Sequence, residues 1–123
     1  MPLVGTVSRE VALDPVKIQP GFVTQGTSAT TAVTLNTTCG VITTYDVIAT
    51  GVDVEFTVNN DKVTENSIIL VTVVSEQDNA DGIPVGINIH TVANGSFKVA
   101  MSNESAGSTA AAPKVNFLVI NGL

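Results

Sequence analysis

From residue 21 onward, apolar and polar positions alternate in short runs separated by clusters of Gly, Asn, Asp and Ser. That is the period of half-buried strands, not of helices. The spacing predicts strands over 31–35, 41–47, 52–59, 68–75, 85–92, 96–101 and 114–120. The run 52–59 alternates most plainly, with Val52, Val54, Phe56 and Val58 on one side and Asp53, Glu55 and Thr57 on the other. Phe97, Val99 and Met101 against Lys98 and Ser102 repeat the pattern, and Asn94-Gly95 just before them is a favoured hairpin turn. No window carries a sustained helical stripe. The expected fold is therefore all-β, an antiparallel β-sandwich or jelly-roll-like domain over 21–123.

Two segments do not alternate. Ile68-Ile69-Leu70-Val71-Thr72-Val73-Val74 and Phe117-Leu118-Val119-Ile120 are apolar on both sides, whereas an antiparallel sheet with one solvated face leaves its outer positions polar. Something must cover the second face, because each fully buried Val or Leu is worth roughly 1.5–3 kcal/mol. One reading places Ile68, Leu70, Leu118 and Ile120 in a subunit interface. The other makes these strands central and covers them from within the monomer.

Residues 1–20 differ from the rest. They hold Pro2, Pro15 and Pro20, and the apolar residues Val4, Val7, Val11, Leu13, Val16 and Ile18 are scattered among Arg9 and Lys17. Proline removes a ladder donor and biases the preceding residue toward extended backbone, so the segment reads as an extended arm able to hook a neighbour. An ordinary first strand or a frayed terminus is the alternative.

Composition narrows the function classes. The apolar fraction of 44 % is carried by Val, Ile, Ala and Leu, with no Trp and one Tyr, a stock of side chains suited to pleated surfaces. A length of 123 residues fits one core. The net charge of −6 would repel a phosphate backbone, so nucleic acid is an unsuitable partner. The N-terminal residues have no charged region followed by a continuous apolar run, and no segment reaches the length of a membrane span. Cys39, the single cysteine, cannot close an intrachain disulfide and is expected to be a buried, inert thiol.

Few reactive side chains stand in a pattern that chemistry could use. His90 is the only histidine and falls on the outward side of its strand with Asn88, opposite Ile87 and Ile89, the placement of a surface residue. Asp53 and Glu55 share one side of a strand, and Glu76, Asp78 and Asp81 share a turn. That turn departs from a calcium loop, since Ala80 occupies a ligand position. One Cys and one His cannot make a four-ligand zinc site. Asn36, Asn94 and Asn103 open Asn-x-Ser/Thr triplets, as expected by chance in a chain so rich in these residues. The small-residue stretch 105–113 reads as a surface loop. No catalytic, metal or cofactor-binding residues are expected.

The segment Gly26-Thr27-Ser28-Ala29-Thr30-Thr31-Ala32-Val33-Thr34-Leu35-Asn36, followed by Gly40-Val41-Ile42-Thr43-Thr44, resembles a small β-rich module of tailed-bacteriophage virion proteins. The resemblance continues through 52–59, 63–73, 95–99 and 114–120, covering about 22–120. In that family the module serves as a small capsid decoration or cement protein and as the tip of head or tail fibres, commonly as a trimer. The resemblance thus implies a homotrimeric decoration protein on the virion surface, made in the host bacterial cytoplasm. Its arm (Val4, Val7, Arg9, Val11, Leu13, Val16 and Ile18) would contact the major capsid protein, and Ile68, Leu70, Leu118 and Ile120 would close the trimer. The chain begins at Met1 and contains no coiled coil or fibrous repeat, which favours the decoration setting. The alternative is a receptor- or carbohydrate-binding fibre tip using loops 77–84 and 103–113. The absence of Trp weakens it, because sugars usually stack on aromatic platforms.

Overall fold

In the computed structural model, which describes residues 19–75 and 83–122, eight strands follow one another without a helix. They are β1 (Gly21–Thr24), β2 (Val33–Thr34), β3 (Cys39–Thr43), β4 (Asp53–Asn59), β5 (Ile68–Val74), β6 (Gly86–Ala93), β7 (Ser96–Ser102) and β8 (Lys114–Ile120). They form a β-sandwich of two four-stranded sheets, sheet A ordered β1-β3-β8-β5 and sheet B ordered β2-β4-β7-β6.

All seven expected strands occur. The eighth, β1, was not expected: Gly21-Phe22-Val23-Thr24 follows Pro20 and is too short to establish a period. The sheets are also mixed where antiparallel pairing was expected. β1 runs parallel to β3 and β2 parallel to β4, while the remaining pairs are antiparallel. The cause lies in the chain path, which steps from one sheet to the other at each of the first five connections. A strand and its next neighbour in the same sheet are then separated by a full excursion through the opposite sheet, so they run the same way with no crossover helix.

Only β6 and β7 are joined as a hairpin, at Asn94-Gly95. Gly95 takes φ +88°, a conformation that costs glycine no side-chain clash. The register slips between His90 and Ala93 of β6, and Thr91 within this bulge has φ +54°.

The core lies between the sheets. Sheet B contributes Phe56, Val58, Phe97, Val99 and Met101, and sheet A contributes Ile42, Val115, Phe117 and Val119, all buried. Phe97 and Phe117 meet edge to face across the sandwich, with centroids 5.6 Å apart and planes at 62°, a favoured aromatic geometry. Val52 departs from the expected inward set: it precedes β4 and is exposed.

Polar side chains pin the connections. Gln25 is buried, its amide nitrogen donating to the carbonyls of Ala29 (3.0 Å) and Thr31 (2.8 Å) while its oxygen accepts from Tyr45 N–H (3.0 Å). The stretch 105–113, expected as a surface loop, is anchored by Ser105 and Thr109 and by Asn103 just before it, all buried. Asn103 Nδ2 donates to the carbonyls of Ile48 (2.7 Å) and Gly107 (3.0 Å), and its Oδ1 accepts from Ser105 N–H (3.0 Å) and Oγ (2.6 Å).

Candidate functional site: the outer face of sheet A

The two outer faces of the sandwich differ in chemistry. On sheet B the outward positions include Asp53, Glu55, Thr57 and Asn59 of β4, Ser96, Lys98 and Ser102 of β7, and Asn88 and His90 of β6. This is an ordinary solvated face.

Sheet A is different. Its ladder registers place Phe22, Val41, Asn116 and Thr72 in one row across the strands, Cys39, Leu118 and Leu70 in the next, and Ile120 beside Ile68 beyond it. A further row holds Thr24, Thr43, Lys114 and Val74, so Lys114, at one end of its strand, is the one charge in these rows. Phe22 is 72 % exposed, Ile68 58 %, Val74 54 %, Leu70 52 % and Ile120 42 %. A shallow depression of about 180 Å³ lies at its middle, lined by Leu70, Val71, Thr72, Asn116, Phe117 and Leu118. Together the side chains of Phe22, Ile68, Val74, Leu70 and Ile120 expose on the order of 500 Å², comparable with the largest apolar patch of a typical monomer.

The four residues assigned from sequence to an interface, Ile68, Leu70, Leu118 and Ile120, therefore come together as two directly opposed pairs, Ile68 with Ile120 and Leu70 with Leu118. The inward residues of the same strands, Ile69, Val71, Val73, Phe117 and Val119, pack against the core. The two-sided apolar runs thus divide between the core and an open face. Sequence reasoning missed Phe22, Val41 and Cys39 as members of that face. Cys39, expected to be a buried thiol, is the first residue of β3 and only half-buried. The seven arm residues lie outside the described residues, as does most of the loop 77–84.

The reactive side chains gather on the opposite side of the molecule. His90 Nε2 lies 2.9 Å from Glu55 Oε2, and His90 Nδ1 lies 2.9 Å from Thr91 Oγ1. Lys98 Nζ approaches the other carboxylate oxygen at 3.4 Å. The hydrogen bond from His90 holds the Glu55 carboxyl below its ordinary range; desolvation opposes it, and Lys98 adds to the lowering. A hydroxyl, an imidazole and a carboxylate in series resemble a nucleophilic relay. Here, however, the side chains of His90 and Glu55 are 38 % and 46 % exposed on a flat strand surface, where water competes for every contact. Among the described residues no group of three or more His, Cys, Asp or Glu is placed to hold a metal ion.

No protein-family model, curated protein or solved structure matches this chain.

Proposed function

We propose that this protein is a structural, non-enzymatic assembly domain that works by burying the outer face of sheet A against other copies of itself. The observation that carries this reading is the apolar expanse holding Phe22, Leu70, Leu118, Ile68 and Ile120, in strands whose outward residues include no carboxylate. Two such patches placed face to face would bury roughly 1,000 Å², the lower bound for a specific interface. Charge supports self-association there, because molecules of net charge −6 would meet through strands whose described outward residues include no carboxylate.

The finer reading is a tailed-phage virion protein, a trimeric decoration protein that stabilises the head shell, and it rests on the sequence resemblance. In that setting three faces close a trimer and residues 1–18 engage the major capsid protein. A clamp that binds only the assembled shell stabilises it by mass action. The receptor- or glycan-binding reading draws less support, since the chain has no tryptophan and only one tyrosine, Tyr45, to offer a sugar as a flat platform.

Light scattering on the full-length protein at low micromolar concentration tests the assembly. A mass near three times 12.6 kDa, or a multiple of it, that falls to a third in Leu118→Lys supports the face-closed trimer. A monomer in the unaltered protein refutes self-assembly through this face. Co-sedimentation with phage heads lacking their decoration protein then tests the virion reading, which retention on host cells instead of heads would replace with the receptor-binding one.

A further inference from the structure

The sandwich has four sheet edges among the described residues, and three of them are poor templates for another strand. β1 is four residues long and follows Pro20, β2 is two residues long, and β6 carries a bulge with Thr91 at positive φ. Such features ordinarily guard an edge, whose unpaired N–H and C=O groups would otherwise recruit a further strand. β5 has none of them. It runs seven residues as Ile-Ile-Leu-Val-Thr-Val-Val with no proline, glycine or charge, between Ser67 and Ser75.

The hydrogen-bond phase identifies which β5 groups face outward from the edge. Val119 N–H donates to Thr38 C=O at 2.7 Å, so Val115, Phe117 and Val119 turn their backbone groups toward β3. The alternate positions Lys114, Asn116, Leu118 and Ile120 then bond β5, through Val74, Thr72, Leu70 and Ile68. That leaves the N–H and C=O groups of Ile69, Val71 and Val73 pointing away from β8, and among the described residues no strand pairs with them.

We propose that β5 is a second self-association site, pairing antiparallel with β5 of another copy about a two-fold axis at Val71. Two A sheets would join into one continuous sheet of eight strands. The strand is self-complementary in phase: Val71 sits at its centre, so Val71 meets Val71 and Ile69 meets Val73 of the other copy. All three unpaired N–H groups and all three unpaired C=O groups on each copy then find partners. The side chains agree as well. Ile68 falls opposite Val74 and Leu70 opposite Thr72, so outward positions stay outward and the apolar face runs unbroken across the junction. Ser67 falls opposite Ser75, and no like charges are opposed within the paired strands, despite the net charge of −6. The edge and the face are perpendicular surfaces of the same sheet, so this pairing neither requires nor excludes the contact proposed for the face.

Site-directed cross-linking of the full-length chain tests the pairing. In a Cys39→Ser background, Leu70→Cys and Thr72→Cys are made as separate proteins, mixed, allowed to exchange and oxidised. Across the proposed axis these two positions are directly opposed without mutual backbone bonds, with Cα atoms about 4.5 Å apart, within disulfide range. Each variant alone sets its own cysteines on a diagonal at roughly 7–8 Å, beyond that range. The expected result is a covalent dimer several-fold more abundant in the mixture than in either variant alone. Equal yields in all three samples, or none in the mixture, overturn the proposal, the former pointing to random collision and the latter to another occupant or none. Adding Val71→Pro, which removes an N–H that bonds nothing among the described residues, abolishes the mixture's cross-link. Leu118→Lys leaves the cross-link while removing the face-dependent mass, so failure of either contact is read separately.

Discussion

Leu70 and Leu118 stand directly opposite each other across the β5–β8 ladder, on the solvent side of sheet A, with Cys39 completing their row. Nothing in the monomer's core needs either side chain, since Val71, Phe117 and Val119 fill the inner face of the same strands. Leu118→Lys is therefore expected to change folding stability by less than about 1 kcal/mol, in the range of surface substitutions, while abolishing self-association through the face. Urea denaturation and light scattering on one sample check both halves. A large loss of stability would mean that the leucine serves the fold itself.

Phe97 presents the opposite case. It is fully buried, and its ring meets the Phe117 ring at the centre of the sandwich. Phe97→Ala should destabilise by about 3–5 kcal/mol, the cost of an unfilled aromatic site, a large fraction of the roughly 5–15 kcal/mol that holds a domain folded. The midpoint of chemical denaturation is the readout, and the slope should stay unchanged if the native surface is otherwise preserved.

Gly40 illustrates close packing between a strand and its neighbours. A Cβ built there would lie 2.6 Å from Leu35 Cδ2 and 2.9 Å from Phe117 Cε1, inside contact distance for carbon atoms. Gly40→Ala is expected to cost about 1–3 kcal/mol through overpacking. Pairing it with Leu35→Ala should recover part of the loss from the crowded methyl, which a double-mutant cycle measures.

Periodicity made some of this structure legible and was blind to the rest. The alternation in 53–59 and 96–102 carried the strands β4 and β7, and the doubly apolar runs 68–74 and 117–120 pointed to a face beyond the core. Strand partners were not legible. The parallel pairing of β1 with β3 depends on the route of the intervening chain, and Gly21-Phe22-Val23-Thr24 is too short to announce a strand. The position of Cys39 on the open face was missed for the same reason, because it depends on where β3 begins. The buried role of Asn103 was likewise hidden within a polar, low-complexity stretch. Local composition cannot reveal that its side chain bonds Ile48, more than fifty positions earlier in the chain.

The amide of Asn103 has little remaining capacity for chemistry. Its nitrogen donates to two carbonyls and its oxygen accepts from Ser105 twice. Asn103→Ala should leave these buried groups short of partners and cost about 1–3 kcal/mol for each one that water cannot reach. The loss should appear first around 103–109, as faster amide exchange of Thr109, whose N–H donates to Ile48 C=O at 3.1 Å. The Asn103 triplet should also resist glycosylation in the folded protein, whereas Asn36 and Asn94 are exposed.

Glu55 supplies the acid limb of the stability profile. Its carboxylate accepts from His90 Nε2 and lies within reach of Lys98, and these contacts hold its ionisation below the ordinary carboxylate range. The neutral histidine tautomer with hydrogen on Nε2 satisfies both ends of the relay, donating to Glu55 while Nδ1 accepts from Thr91. Because the folded state favours the charged carboxylate, it adds stability at pH above the unfolded value of about 4.3. That stability is lost as pH falls toward and through the lower folded value. Glu55→Gln removes the titration and keeps an acceptor oxygen. The variant should therefore melt slightly below the unaltered protein near neutrality, and the gap should close as pH falls through the lowered folded value and protonation removes the charge from the parent too. The gap stays small, since both partners face water and salt screens them. A gap that persists unchanged in acid would show that the glutamate acts through packing and not through its charge.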